Sequence, residues 1–390
     1  MDIHNYQRQL ERQIELVNED LEISKKNKET ISKFKDYLLS EGIGAAKIGR
    51  YMLDIRRLAK LLNKPFEKAT KENLRAIVGE INQSKLAEES KKCVKVLIKR
   101  LYRYLEGVEE KGVYPDKVKW ISTQIPLNHT KLPEELLTEK ETENIIRCAG
   151  NVRDKALLST VAESGARIGE IGNLKIKHVS FEEYGARLTI SGKTGTRKIL
   201  VINSTPYLQE WINQHPLNDN AEEYLWYNPQ GKTLTYSRIS AILKNTVRKA
   251  GIKKRVYLHL FRHSQATRMA SVMSEAGMKQ YFGWHQSSRM ATIYVHMSGR
   301  DVDKDILKFN GIEVKEKKFE SKMKPINCVR CKVINEPTNR FCKVCGMILD
   351  KEEANKVLKE DGERQKADEI MNKLVSDPEI LELIKKKLAS

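Results

Sequence analysis

No run of apolar residues in this chain of 390 approaches the length of a membrane span, and the N-terminus, MDIHNYQRQLERQ, lacks the apolar centre of an export signal. Both absences predict a soluble, intracellular protein of the cytoplasm. No GxxxxGK[ST] loop is present to cradle a nucleotide, and no cluster of carboxylates suits Mg²⁺. Internal repeats and low-complexity segments are also missing. Acidic residues are outnumbered: 52 Asp and Glu stand against 71 Lys and Arg, a formal charge of +19. Such a balance favours a polyanionic partner, nucleic acid ahead of an anionic membrane surface. Cysteine is sparse, six in all, and Cys93 and Cys148 stand alone in helical patterns where a small apolar residue packs.

What is present divides into segments. Residues 1–27 read as an N-terminal helical extension whose apolar positions, Tyr6, Leu10, Ile14, Val17 and Leu21, make one narrow stripe. Residues 28–110 read as an all-helical domain, with helices over 28–41, 45–63, 70–82 and 86–106. In the last of these, Val94, Leu97, Ile98, Leu101 and Leu105 share a face, while Lys92, Lys95, Lys99 and Arg103 lie opposite. A charged outer face is usually a solvated face. No acid interrupts this one, and the charge of the whole chain makes the row a candidate for contact with DNA phosphates. The 45–63 helix adds Lys47 and Arg50, with Arg56, Arg57 and Lys60 further along.

Residues 111–133 have no sustained period and contain prolines, so they read as a linker. Residues 134–312 form a mixed α+β domain. It opens on a capping box, Thr138 with Glu141 three residues on, and a second helix runs from about Arg153 into SGARIGEIGNL. The stretch ARLTISGKTGTRKILVIN alternates apolar and polar residues on both sides of a glycine-containing turn, an antiparallel β-hairpin with Lys193 at or near its tip. Helices follow over 205–214, 236–250, 259–275 and 289–295. The fold class is therefore mainly α with a small antiparallel hairpin or sheet.

Several polar residues sit oddly in these elements. Arg167 lies between Gly165 and Gly169 at a helix-to-helix break, and Lys193 is on the hairpin turn. His259 and Arg262 share one face at a helix N-terminus, where free N–H groups already favour an anion. His285 and Tyr294 lie in YFGWHQSSRMATIYVHM. Each has an ordinary explanation alone: a cap, a solvated turn, a core aromatic. Together they supply guanidiniums for non-bridging oxygens, a phenol as nucleophile and proton carriers, which is the chemistry phosphoryl transfer demands. An unperturbed phenol, with a pKa of ~10, needs cations or a base beside it to attack at neutral pH.

On SGARIGEIGNL, SGKTGTRKILVI, HLFRHSQATRM and GWHQSSRMATIYVHMSGRDVD, in that order, the sequence resembles the tyrosine recombinase (phage integrase) family, archaeal integrases in particular, over residues 28–310. The resemblance implies a helical core-binding domain followed by a catalytic domain. It implies that Arg167 and Arg262 clamp the scissile phosphate, and that Tyr294 attacks phosphorus to leave a 3′-phosphotyrosyl link and a free 5′-hydroxyl. Lys193 is then the general acid for the 5′-oxygen, with Lys198 as its substitute, and His259 orients the phosphate and manages the tyrosine proton. Glu170 supports the site. The sixth position falls to His285 or Trp284, His285 preferred for its nine-residue distance to Tyr294; His263 and His296 are read as structural. Neither metal nor ATP is needed, because the phosphotyrosine keeps the bond energy. Double-stranded DNA carrying specific attachment sites, and a homotetramer on two duplexes, are the implied partners. A type IB-like topoisomerase and a non-enzymatic DNA-binding regulator remain as alternatives.

The other four cysteines, in CVRCKVINEPTNRFCKVCG, form two C-x-x-C pairs: Cys328 with Cys331, and Cys342 with Cys345. Two knuckles of this kind complete a tetrahedral thiolate site for one structural Zn²⁺, so residues 325–350 resemble a compact zinc ribbon. Iron is the rival metal. Residues 351–390 read as a charged helical tail with an apolar stripe at Ile370, Leu374, Ile380, Leu383 and Ile384.

Overall fold

The structure, a computed structural model, describes residues 3–110, 112–124, 135–192, 194–228, 230–297, 310, 324–376 and 378. The chain divides into two units, Met1–Lys131 and Leu132–Ser390.

In the first unit, apolar residues spaced three and four apart build five helices: α1 (Tyr6–Glu19), α2 (Lys25–Ser40), α3 (Ala45–Leu62), α4 (Lys71–Gln83) and α5 (Glu88–Leu105). Caps set where they begin. Ser24 accepts from the N–H of Asn27, and Thr70 forms a reciprocal box with Asn73. Phe34, Leu38, Ile48, Ile55, Leu58, Val94 and Leu97 close the core. The buried Asn27 donates to the Lys64 carbonyl at 3.0 Å and accepts from the Phe66 N–H at 3.0 Å, tying α2 to the α3–α4 connection.

Helix α1 packs along α3 and shares this core through Leu10 and Val17. Its apolar stripe is shorter than expected: Leu21 is 95 % exposed. The helix stops at Glu19, and the Asp20 carboxylate instead accepts from Arg56 at 2.9 Å and pairs with Lys60 at 3.1 Å. Ile23 takes the buried place. The segment read as a linker also contributes to the core. Val118 and Ile121 are buried in it, with Tyr114 and Trp120 packed alongside, whereas residues 125–134 lie outside the described residues.

The second unit opens with α6 (Glu139–Arg147), capped as expected by Thr138 and Glu141, and continues with α7 (Val152–Ser164) and α8 (Ile168–Gly172). Strands β1 (Val179–Glu182), β2 (Gly185–Gly192) and β3 (Gly195–Val201) form one antiparallel sheet in sequence order. Leu188 pairs with Ile199, Ile190 with Arg197 and Gly192 with Gly195, at the closed end of the hairpin. The β2–β3 hairpin was expected; β1 adds a third strand on its open edge. Then come α9 (Thr205–Asn213), α10 (Tyr236–Lys249), α11 (Leu258–Ala270), α12 (Glu275–Phe282) and α13 (Met290–Met297).

Helix α7 is buried on most sides, with α9 and α11 packed against it. The single helix expected over 259–275 ends at Ala270. Ser274 then caps α12 by accepting from the Gly277 N–H at 3.2 Å, an element the sequence reading lacked.

A small module with β4 (Ile326–Asn327) and β5 (Ile334–Asn335) follows, then α14 (Lys351–Ser376). The module sits against α9: the buried Tyr207 hydroxyl meets Thr338 Oγ1 at 2.6 Å and accepts from the Thr338 N–H at 3.3 Å. On α14, Ile370 of the expected stripe is exposed, and Ile380, Leu383 and Ile384 lie outside the described residues. Among the described residues, no helix is long and apolar enough to cross a membrane.

Candidate active site

Two left-handed glycines make the corners around which the site is built. Gly165 (φ +56°) ends α7, and a Cβ there would lie 2.8 Å from the Phe282 ring. Gly283 (φ +60°) ends α12, and a Cβ there would lie 2.5 Å from the Arg197 guanidinium. Their carbonyls, and that of Phe282, become acceptors for the site's cations.

Arg167 is the N-cap of α8 and directs Nη1 and Nη2 to the Gly283 carbonyl, each at 3.4 Å. Glu170, one turn on, is 6 % exposed and has every oxygen engaged. Its Oε1 accepts from Arg167 Nη1 at 3.0 Å and Arg197 Nη1 at 3.2 Å; its Oε2 accepts from Arg197 Nη2 at 2.9 Å and the Arg167 N–H at 3.0 Å. Burial pushes the carboxyl's pKa up. Arg197 first and Arg167 second outweigh it, so the group is held below the ordinary carboxylate value. Arg197 also donates Nε to the Tyr281 carbonyl at 2.8 Å. The sequence reading passed over this arginine; its inward position in the strand alternation was the available signal.

Arg262 is 3 % exposed. Nη1 donates to the Gly165 carbonyl at 2.9 Å and Nη2 to the Phe282 carbonyl at 2.7 Å, while the guanidinium lies 5.2 Å from the Phe282 ring centre and 5.4 Å from that of Trp284. Burial, and then repulsion from Arg167, lower its pKa to about 10, against a smaller opposing pull from Glu170. Two guanidiniums that repel one another in a half-desolvated corner make a site whose energy falls when an anion enters.

Tyr294, 2 % exposed, stacks on Trp284 with ring centres 5.4 Å apart and planes 3° from parallel. Its hydroxyl lies 2.5 Å from His263 Nδ1. His259 is exposed and meets the His263 ring edge-on at 4.7 Å. Burial raises the pKa of the Tyr294 phenol, and Arg262 offsets only part of that. Arg167, Glu170, Arg262, His259 and Tyr294 are thus brought together. His263, read from sequence as structural, is the histidine on the phenol.

His285 is exposed, with Nδ1 2.7 Å from Ser287 Oγ; its neighbour Trp284 is the residue packed against Arg262 and Tyr294. Lys193 lies outside the described residues, as does the side chain of His296. The residue after Lys193 is anchored in the site, because Thr194 Oγ1 donates to the Gly283 carbonyl at 2.9 Å. Lys198 is exposed, on the opposite face of β3 from Arg197.

In the first unit the six basic candidates differ in their commitments. Lys47 is exposed, above the Tyr51 ring. Arg50 is bound at 2.7 Å to Asp54, whose burial raises its carboxyl pKa even so. Lys92 is 3.8 Å from Glu89, and Lys95 is half-buried. Lys99 bonds the Ile121 carbonyl at 3.3 Å beneath Tyr114. Arg103 reaches the Val108 carbonyl at 3.2 Å and Glu41 at 3.7 Å.

Cys328, Cys331, Cys342 and Cys345 gather so that their sulfurs all lie within 4.8 Å of one another, with two of the separations 3.5 Å. A tetrahedron of thiolates ~2.3 Å from Zn²⁺ has edges of about 3.8 Å, so the donor set fits such an ion. The two knuckles repeat one geometry. The Lys332 N–H returns to the Cys328 carbonyl and the Gly346 N–H to that of Cys342, both at 2.9 Å. Both residues take positive φ, +61° at Lys332 and +71° at Gly346. N–H groups of Cys345 and Val344 hold the Cys342 thiol down at about 6 against its burial.

Comparison with known proteins finds relatives of the same fold. Residues 135–300 match the family described as "Phage integrase family". Tyrosine recombinase XerA of Pyrococcus furiosus is 26 % identical over 293 residues, covering 73 % of this chain and 95 % of the relative. Tyrosine recombinase XerD of Bifidobacterium longum is 24 % identical over 282 residues, covering 67 % and 89 %. The fold is that of XerH site-specific recombinase in its post-cleavage complex with a palindromic difH substrate (TM-score 0.56, 20 % identity, 69 % of this chain and 81 % of that one). It is also that of a lambda integrase tetramer bound to a Holliday junction (TM-score 0.54, 17 % identity, 70 % and 78 %).

Proposed function

From the phage integrase domain that this chain carries over residues 135–300, we propose that the protein is a site-specific DNA recombinase of the tyrosine type. The observation that carries the reading is convergence on one two-residue corner. Arg167 reaches the Gly283 carbonyl, while Arg262 and Tyr294 both pack on the Trp284 ring. A phosphodiester entering there meets two guanidiniums and a phenol at once.

In this reading Arg167 and Arg262 hold the non-bridging oxygens, a task suited to planar forks of donors. Tyr294 attacks phosphorus and becomes joined to the 3′ end. Lys193, whose sequence neighbour Thr194 is anchored at Gly283, protonates the departing 5′-oxygen. His259, on the open side, contacts the phosphate, and Glu170 keeps Arg167 aimed. His285, exposed beside Trp284, adds a further donor toward the DNA backbone. No nucleotide is consumed, since the phosphotyrosine is itself the activated bond for rejoining. In the helical unit, Lys47, Lys92 and Lys95 supply phosphate contacts. Four copies on two duplexes complete the exchange, in the cytoplasm where the DNA is. The cysteine cluster holds one structural Zn²⁺, whose closed four-thiolate shell supports folding and leaves no position for substrate.

The test is covalent trapping. The protein is incubated with a pool of nicked duplexes of randomised sequence, from which cleavage releases a short strand that cannot rejoin. The wild type should yield a covalent protein–DNA band, and Tyr294→Phe should yield none. A band that persists in Tyr294→Phe disproves the nucleophile. Exchange between two trapped-sequence duplexes, rather than mere relaxation of supercoils, separates recombination from topoisomerase activity.

A further inference from the structure

We propose that His263 is the base that takes the hydroxyl proton of Tyr294 as the phenol attacks. The inference rests on the reading of Tyr294 as the nucleophile, and assigns the proton-handling task to a residue other than His259.

The geometry is direct. His263 Nδ1 lies 2.5 Å from the Tyr294 oxygen, within the reach a proton transfer requires. The phenol is 2 % exposed and covered on one face by Trp284, so bulk water has little access to collect the proton. Burial also raises the phenol's pKa, which makes an acceptor within the site necessary at neutral pH. His259 does not hold that position. It stands one helical turn before His263, exposed, with its ring edge-on to His263 at 4.7 Å. The two imidazoles on one face of α11 therefore divide the work: His259 faces the open side where the phosphate arrives, and His263 faces α13.

Among the described residues, one charged side chain acts on the phenol. On α11, Arg262 is the cation that acts on the phenol, and it lowers the phenol's pKa. It donates to the carbonyls of Gly165 and Phe282, and as a protonated guanidinium it is a donor only and cannot take the proton. On α12, Lys279 and Glu275 are paired with one another at 3.0 Å, and Glu275 also accepts from Thr292 of α13 at 3.3 Å.

The step balances as follows. The O–H bond of Tyr294 breaks and its proton passes to the lone pair on His263 Nδ1, giving an imidazolium. The oxygen's electron pair forms the bond to phosphorus, and the bond from phosphorus to the 5′-oxygen breaks. That oxygen leaves with the pair and is protonated by the site's acid. On rejoining, the same proton returns from His263 to Tyr294 as the phosphotyrosyl bond is cut.

The experiment uses the full chain and a duplex recovered by the trapping assay above, with single-turnover covalent complex formation followed across pH. His263→Phe should slow cleavage by ~10²–10⁴-fold, the range of a lost general base, and should remove an inflection present on the acid side of the wild-type profile. Replacing Tyr294 with a ring-fluorinated tyrosine, whose phenol ionises more readily, should restore much of the rate in His263→Phe and add little to the wild type. A His263→Phe protein that cleaves as fast as the wild type overturns the proposal. So does a loss that the fluorinated tyrosine leaves unchanged, because that is what a purely structural histidine would produce. Failure of the wild type to trap any duplex counts instead against the recombinase reading itself.

Discussion

Glu170 is an acid placed at the centre of a site that must attract an anion, and its value there depends on what surrounds it. Nearly closed to solvent, it accepts four hydrogen bonds, two of them from Arg197. Removing that arginine while leaving the carboxylate buried exposes the full desolvation penalty, so Arg197→Met should destabilise the second unit by about 3–5 kcal/mol at neutral pH. The pH dependence has a definite sign. In the wild type the carboxyl's folded pKa lies below its unfolded one, so its stabilisation is complete above the unfolded value and is lost as pH falls through the folded value. In Arg197→Met, burial dominates and the folded pKa rises, which inverts that contribution. The gap in melting temperature between the two proteins should therefore be widest near neutrality and narrow below about pH 4. Thermal melts over a pH series measure it. A gap that stays constant with pH means that Arg197 stabilises by packing and not by charge.

The β2–β3 hairpin shows how one element separates residues that sequence alone leaves equivalent. Alternation turns Arg197 inward to Glu170 and leaves Lys198 on the exposed face, while Thr194 is anchored at the Gly283 carbonyl. Lys198→Ala should accordingly leave covalent complex formation unchanged, and Lys193→Ala should reduce it by about 10²–10⁴-fold. The trapping assay, with rates in place of end points, reads both, and a large loss in Lys198→Ala reverses the assignment of the acid. The hairpin was legible because period-two alternation around a glycine turn is a local signal. Arg167, Arg262 and Tyr294 stand out in the sequence as residue types at recognisable spacings, and the structure brings them to one corner. Helix α12 was not legible, being short and directly continued in sequence from α11, with only Ser274 to mark its start. The partners of His263 and Arg103 were out of reach for another reason. Helical spacing gives the face of a residue but not what meets that face, and Tyr294 and Glu41 arrive from 31 and 62 positions away.

At the scale of the whole molecule, a basic chain places a small cysteine module directly against helix α9 of the second unit. Tyr207 is fully buried, and its hydroxyl is satisfied by Thr338 of the module. Lys343 adds a surface ion pair to Glu210 at 3.4 Å, which at the rim is worth little. In the proposed reading a zinc ion held by the four cysteines drives folding of the module, and its binding energy reaches α9 through this contact. Metal analysis should give one zinc per chain. A strong chelator should remove it, unfold the module, and lower the melting temperature of the second unit by uncovering Tyr207. Tyr207→Phe tests the route. It deletes the hydroxyl that pairs with Thr338, at a cost of about 1 kcal/mol while zinc is bound. Once the module has been released by chelation, the same substitution should cost almost nothing, because the contact no longer exists in the protein being melted. Calorimetry of the four states, wild type and variant with and without metal, closes this cycle. Equal effects of Tyr207→Phe in both metal states mean that the module and the catalytic unit are stabilised independently.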